Sequence, residues 1–145
     1  MTKAETYAKT MNMSKIAISE QLTSEYGEKF SAESAKYAMD NIEFDDWKAN
    51  ALKKAESYSE TMNMSKQGIY EQLTSENGEK FTADEAQYAI DTLKANFNEN
   101  ALAKAKDYQT SMSMSPEAIR DQLVSEYGEK FTQEEADYAI NNLDK

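Results

Sequence analysis

Gln21-Leu-Thr-Ser-Glu-Tyr-Gly-Glu-Lys-Phe30 occurs three times in this sequence. It returns at residues 72–81 with Asn77 in place of the tyrosine, and at 122–131 with Val124 in place of the threonine. The stretch reads as the end of one helix, a glycine stop and a phenylalanine entering the next helix. Gly27, Gly78 and Gly128 stand where a left-handed residue is expected after a helix, a conformation glycine adopts without steric cost. With Gly68 they are all the glycines of the chain. The helix-turn-helix corner is therefore the feature around which the rest is arranged.

The similarity extends well beyond the corner. Tyr7, Tyr58 and Tyr108 correspond, and the same register aligns Met11 with Met62 and Met112, and Met13 with Met64 and Met114. Ile18, Ile69 and Ile119 also match, as do Ala35, Ala86 and Ala136, then Tyr37, Tyr88 and Tyr138. The spacing slips by one residue between Ile42 and Ala51. A sustained internal period of this kind marks a repeat architecture. The expected fold is all-α, a tandem repeat of small three-helix, helix-turn-helix-like units at 1–46, 47–95 and 96–145. The first unit has a shortened first helix, because nothing before Thr2 matches Trp47 or Phe97.

Each unit predicts three helices. Trp47, Ala51, Leu52, Ala55, Tyr58 and Met62 recur at three- and four-residue steps, the pattern of an amphipathic helix. Ser65 is placed to cap the next helix, and Ser115 is followed by Pro116, a residue favoured at the first helical position. Thr82 with Glu85 and Thr132 with Glu135 spell capping boxes, while Ser31 faces Ser34 instead of an acid. Asn96 with Glu99 suggests another box. Phe81 and Phe131 are expected to staple onto Ala86 and Ala136. The third helix is expected to bury Ala86, Ala89, Ile90 and Leu93, and likewise Ala136, Ala139, Ile140 and Leu143. The linkers 43–46 and 94–96 contain neither Pro nor Gly, which favours stiff joints.

Composition narrows the chemistry. The 145 residues include no Cys and no His, which excludes disulfides, thiol nucleophiles, Cys/His zinc sites and histidine bases. The formal charge of −11 opposes binding to nucleic acid or anionic lipid and favours a basic partner or plain solubility. No apolar run is long enough to span a membrane, and residues 1–4 lack the apolar core of a signal peptide. Either the protein is cytosolic, or a targeting segment has been removed and a start Met added.

The run Trp47-Lys-Ala-Asn-Ala-Leu-Lys-Lys-Ala-Glu-Ser-Tyr58 is followed by Met64-Ser-Lys-Gln-Gly-Ile-Tyr-Glu-Gln-Leu73. Phe81-Thr-Ala-Asp-Glu-Ala-Gln-Tyr-Ala-Ile-Asp91 completes the pattern. Together they resemble the repeat of the Ltp-type host-surface lipoproteins of temperate phages and Gram-positive bacteria. Residues 97–143 match as well, and the first unit matches from about Tyr7 onward. The resemblance implies helix-turn-helix-like modules held by a lipid anchor on the extracellular face of the cytoplasmic membrane. It implies superinfection exclusion, in which an incoming phage is stopped at DNA injection, with the phage tape measure protein as target. The sequence departs from the family in lacking a signal peptide and a lipobox cysteine, so attachment through an N-terminal lipid anchor comes from the resemblance alone. A host-encoded surface lipoprotein with a structural or adhesive role is the alternative.

Other readings are weaker. A DNA-reading helix-turn-helix would need Lys and Arg on its third helix, where Glu134, Asp137 and Asn141 stand. The calcium-loop motif is absent. The paired methionines are expected in the core between first and second helices. Glu134 and Glu135 point to different sides of a helix and cannot share catalytic acid–base work, so no enzyme activity, cofactor or metal is expected.

The candidate partner site lies on the third helices. Tyr37 falls off the apolar face, between Glu33 and Asp40. The second unit repeats this with Asp84, Tyr88 and Asp91, and the third has Glu134, Tyr138 and Asn141, with Asp137 a further candidate carboxylate. An aromatic among carboxylates suits a basic partner, through cation–π contact and ion pairing. A wide apolar stripe packing on two other helices accounts for the same tyrosines.

Overall fold

The computed structural model of the chain describes residues 2–143. Among them are nine α-helices and no strand. The helices are α1 Lys3–Lys9, α2 Lys15–Thr23, α3 Ala32–Asp40, α4 Trp47–Met62, α5 Lys66–Thr74, α6 Ala83–Thr92, α7 Phe97–Ser111, α8 Pro116–Val124 and α9 Gln133–Asn141. The threefold sequence repeat is thus a repeat of three helices, and α1 is the short one, at 7 residues against 16 in α4.

The predicted caps form. The hydroxyls of Ser31, Ser65 and Ser115 accept from the backbone N–H three residues on, and Ser14 does the same at the matching position of the first repeat. The Thr132–Glu135 capping box is reciprocal, as is that of Thr82 and Glu85, and a further box joins Thr2 to Glu5. The Asn96 box is only half made. Asn96 Oδ1 accepts from Glu99 N at 3.2 Å, but the Glu99 carboxylate takes the Tyr138 hydroxyl instead.

The glycine corner is built differently from expectation. The second helices end at Thr23, Thr74 and Val124, well before the glycines. Ser24 is already extended, at φ −64° and ψ 141°, and its hydroxyl accepts from Tyr26 N to start a turn. No glycine has positive φ. Within the corners the left-handed residues are Lys29, Lys80 and Lys130, at φ 58°, 62° and 63°. Each lysine turns the chain so that the next phenylalanine N–H reaches back 2.7 Å to the carbonyl of Leu22, Leu73 or Leu123. The glycines serve close approach. A Cβ on Gly27, Gly78 or Gly128 would lie 2.4 Å from the carbonyl oxygen of Gln21, Gln72 or Gln122.

The chain divides into two compact units, residues 1–55 with 72–92, and residues 56–71 with 93–145. In the first, Ala4, Ala8, Ile18, Leu22, Ala35 and Met39 form one buried cluster, over which Met13, Ile42, Phe44 and Trp47 close, and Ala51, Ala55, Leu73, Phe81, Ala86, Ala89 and Ile90 are buried as well. Phe44 meets Trp47 edge to face at 4.8 Å, so the segment between α3 and α4 adds apolar cover beside the short α1. In the second unit Ala101, Leu102, Ala105, Ile119, Leu123, Phe131, Ala136, Ala139 and Leu143 form the core. Phe131 and Ala136, the expected staple pair, both belong to this buried cluster. Of the residues expected to be buried, Ala86, Ala89 and Ile90 of α6 are buried and Leu93, just past its end, is half-buried; Ala136, Ala139 and Leu143 are buried and Ile140 of α9 is half-buried. The methionine expectation holds for one member of each pair. Met13 and Met114 pack on core and Met64 is half-buried, but Met11, Met62 and Met112 lie at helix ends and are half or more exposed.

Each unit contains one junction between consecutive repeats, and the two junctions share their main contacts. In the first, Ser14 Oγ donates to the Glu79 carbonyl, Lys80 pairs with Glu20, and Asn50 Nδ2 donates to Ala8 O and Met13 O, both at 2.9 Å. In the second, Ser65 Oγ donates to the Glu129 carbonyl and Lys130 pairs with Glu71 at 2.6 Å. Asn100 Nδ2 donates to Ser59 Oγ at 2.9 Å and to Met64 O at 3.0 Å. Asn50 and Asn100 are buried polar groups, and each amide bridges the preceding first helix, at Ala8 O or Ser59 Oγ, to the carbonyl just before the next helix's cap, Met13 O or Met64 O.

Candidate partner-binding face

The third helices expose their carboxylates because their alanines face the core. With Ala35 and Met39 buried, Glu33, Tyr37 and Asp40 are turned outward on α3. With Ala86 and Ala89 buried, the same holds for Asp84, Tyr88 and Asp91 on α6. On α9, Glu134 and Asp137 are exposed, while Tyr138 is half-buried and packs against the core.

The carboxylates differ in what they already hold. Asp40 pairs with Lys36 at 2.6 Å, one turn earlier on α3, and this contact raises the lysine's pKa. Asp137 pairs with Arg120 of α8 at 2.8 Å, and Asp91 accepts from Gln87 at 2.9 Å. Glu33, Asp84 and Glu134 make no side-chain ion pair with a described residue. Asp84 lines an open cleft of the first unit together with Asp45, Asp46, Lys48 and Glu85.

The three tyrosines are not equivalent. Tyr37 is 72 % exposed. Tyr88 is 40 % exposed, and Lys48 Nζ lies 5.6 Å above its ring centroid. This is the cation–π contact expected of a basic partner, made here by the chain's own α4. Tyr138 donates from its hydroxyl to Glu99 Oε1 at 2.6 Å, and that hydrogen bond raises the phenol's pKa. Its place in the core fits the apolar-stripe account better than the anchor account.

Two exposed aromatics escaped the sequence reading. Tyr26 and Tyr127 project from the glycine corners, 98 % and 99 % exposed. Asn77 at the matching position of the middle repeat was the available signal, since a site that accepts asparagine is a solvated one. The tyrosines on the first helices have a different role. Tyr7 donates to Glu28 at 2.7 Å and Tyr108 to Glu129 at 2.6 Å, which pins the corner to the first helix. Burial and the Glu129 carboxylate push the Tyr108 phenol up to about 12.

Among the described residues no group of three or more His, Cys, Asp or Glu is placed to hold a metal ion. Glu135 is occupied as the reciprocal cap of Thr132. No described helix is long and apolar enough to cross a membrane.

The family model for host cell surface-exposed lipoproteins matches three successive segments, residues 1–42, 46–93 and 96–143. The chain belongs to this lipoprotein family. Membership agrees with the all-helical repeat and with the resemblance carried by the Trp47–Asp91 pattern. A similar solved structure is that of Ltp, a superinfection exclusion protein from the Streptococcus thermophilus temperate phage TP-J34. It is 46% identical, covers 70% of this lipoprotein and all of its own chain, and superposes with a TM-score of 0.63. No curated protein matches the sequence.

Proposed function

We propose that this lipoprotein acts in superinfection exclusion, as a surface-displayed module that stops phage DNA injection by holding a basic segment of a phage protein. The similarity to a superinfection exclusion protein, over that protein's whole length, carries the reading. The repeat is the unit of recognition, and the tape measure protein is the target that the family resemblance suggests. The charge of −11 favours a basic partner, and opposite charge steers it in. Glu33, Asp84 and Glu134 are the carboxylates best placed to meet it, with Asp40, Asp91 and Asp137 beside them. Tyr37 is the free anchor, and Lys48 over Tyr88 shows the kind of contact such a ring accepts.

The test is infection of cells that display the chain on a lipid anchor, with adsorption and DNA entry scored separately. Normal adsorption with blocked DNA entry is expected. Lost adsorption, or no protection at all, contradicts the proposal.

A further inference from the structure

Each junction joins two surfaces, and the chain carries a spare copy of each. One surface is the second helix of a repeat, with its capping serine and an acidic residue: Ser14 and Glu20, then Ser65 and Glu71. The other is the corner of the following repeat, with a glutamate carbonyl and a lysine: Glu79 and Lys80, then Glu129 and Lys130. The matching second-helix residues of the last repeat are Ser115 and Asp121, and the matching corner residues of the first are Glu28 and Lys29.

The spare surfaces are exposed where the used ones are covered. Ser14 and Ser65 are each 1 % exposed, whereas Ser115 and Asp121 are open to solvent. Phe81 and Phe131 are 3 % and 4 % exposed, whereas Phe30 of the spare corner is 44 % exposed. Lys80 and Lys130 are half-buried against their glutamates; Lys29 is exposed and pairs with no described carboxylate. The backbone of the spare corner is already set, with Lys29 at φ 58° and Phe30 N bonded to Leu22 O.

We infer that the first repeat's corner docks on the α8 face of a second copy of this chain, with Lys29 against Asp121 and the Glu28 carbonyl against the Ser115 hydroxyl. The occupant follows from continuity, since this chain makes the same contact with itself twice, and from charge, since the spare lysine and aspartate are complementary. The contact between copies is weaker than the internal ones. It lacks the covalent connection that holds linked partners at an effective concentration of about 1 mM. Display on a surface, where copies are crowded in two dimensions, offsets the missing linkage. The inference is independent of any phage target.

Sedimentation at physiological salt, with the chain raised to about 1 mM to match the effective concentration of linked partners, tests it. The average mass should rise with concentration. Lys29→Glu and Asp121→Lys should each abolish the rise while leaving helical signal and melting unchanged, because both residues are exposed. An equal mixture of the two variants should associate again, with the variants alternating: the two substituted positions form the reversed pair, and the Lys29 and Asp121 that remain form the original one. A monomer at every concentration would overturn the inference. So would association indifferent to both substitutions, or no recovery in the mixture.

Discussion

Ser65 Oγ donates to the backbone carbonyl of Glu129, a residue 64 positions later, while accepting from Gly68 N at 3.0 Å. One hydroxyl therefore starts α5 and ties the middle repeat to the corner of the last. Ser14 does the same for the first repeat and Glu79. Among the described residues the Ser115 hydroxyl keeps the capping bond alone, from Ala118 N at 3.2 Å.

The pair Ser65 and Ser115 separates these two roles. Ser115→Ala removes an exposed cap and should cost about 1 kcal/mol. Ser65→Ala removes the cap and leaves the Glu129 carbonyl without its donor, so about 2 kcal/mol is expected. Denaturant unfolding of both variants checks this. Equal losses would mean that the bond to Glu129 adds nothing.

The corner predicts an unusual pair of backbone effects. Gly78→Ala forces a methyl against the Gln72 carbonyl, a backbone atom that cannot move aside, and should destabilise by about 2 kcal/mol or more. Lys29→Gly relieves a left-handed side chain that is exposed, and should stabilise by up to about 1 kcal/mol. Melting temperatures read both. A harmless Gly78→Ala would show that the close approach is not needed.

These corners also mark how far the sequence could be read. The helices, their caps and the threefold repeat were legible because each rests on local chemistry: Thr82 with Glu85, Pro116 after Ser115, alanines at helical spacing. The conformation of the glycines was not. Glycine signals both left-handed backbone and close approach, and only the position of the Gln72 carbonyl decides between them. Asn50 and Asn100 were missed for a similar reason, since their partners lie in another repeat. On the candidate face, the exposure of Glu33, Asp84 and Glu134 followed from helix periodicity. The difference between Tyr37, Tyr88 and Tyr138 did not, because it depends on Lys48 and Glu99, which come from other helices.

Tyr108 gives a test at high pH. Its phenol ionises near pH 10 in the unfolded chain and at about 12 in the folded one. The folded state therefore keeps a proton that the unfolded state has lost. Its stabilising contribution is complete below pH 10 and disappears as pH rises through about 12. Tyr108→Phe should flatten the fall in melting temperature over that range. An unchanged fall would assign it to other groups; Tyr7 and Tyr138 are also shifted upward.

The acidic face is tested most directly by changing many charges together, because single exposed pairs contribute only about 0.2–1 kcal/mol each. Glu33, Asp40, Asp84, Asp91, Glu134 and Asp137 are replaced by Gln or Asn in the surface-anchored chain. Circular dichroism and melting first confirm the fold. Efficiency of plating is then measured against the parent. The account predicts that the folded variant loses protection and that incoming phage DNA enters. A folded variant that protects as well as the parent would contradict it.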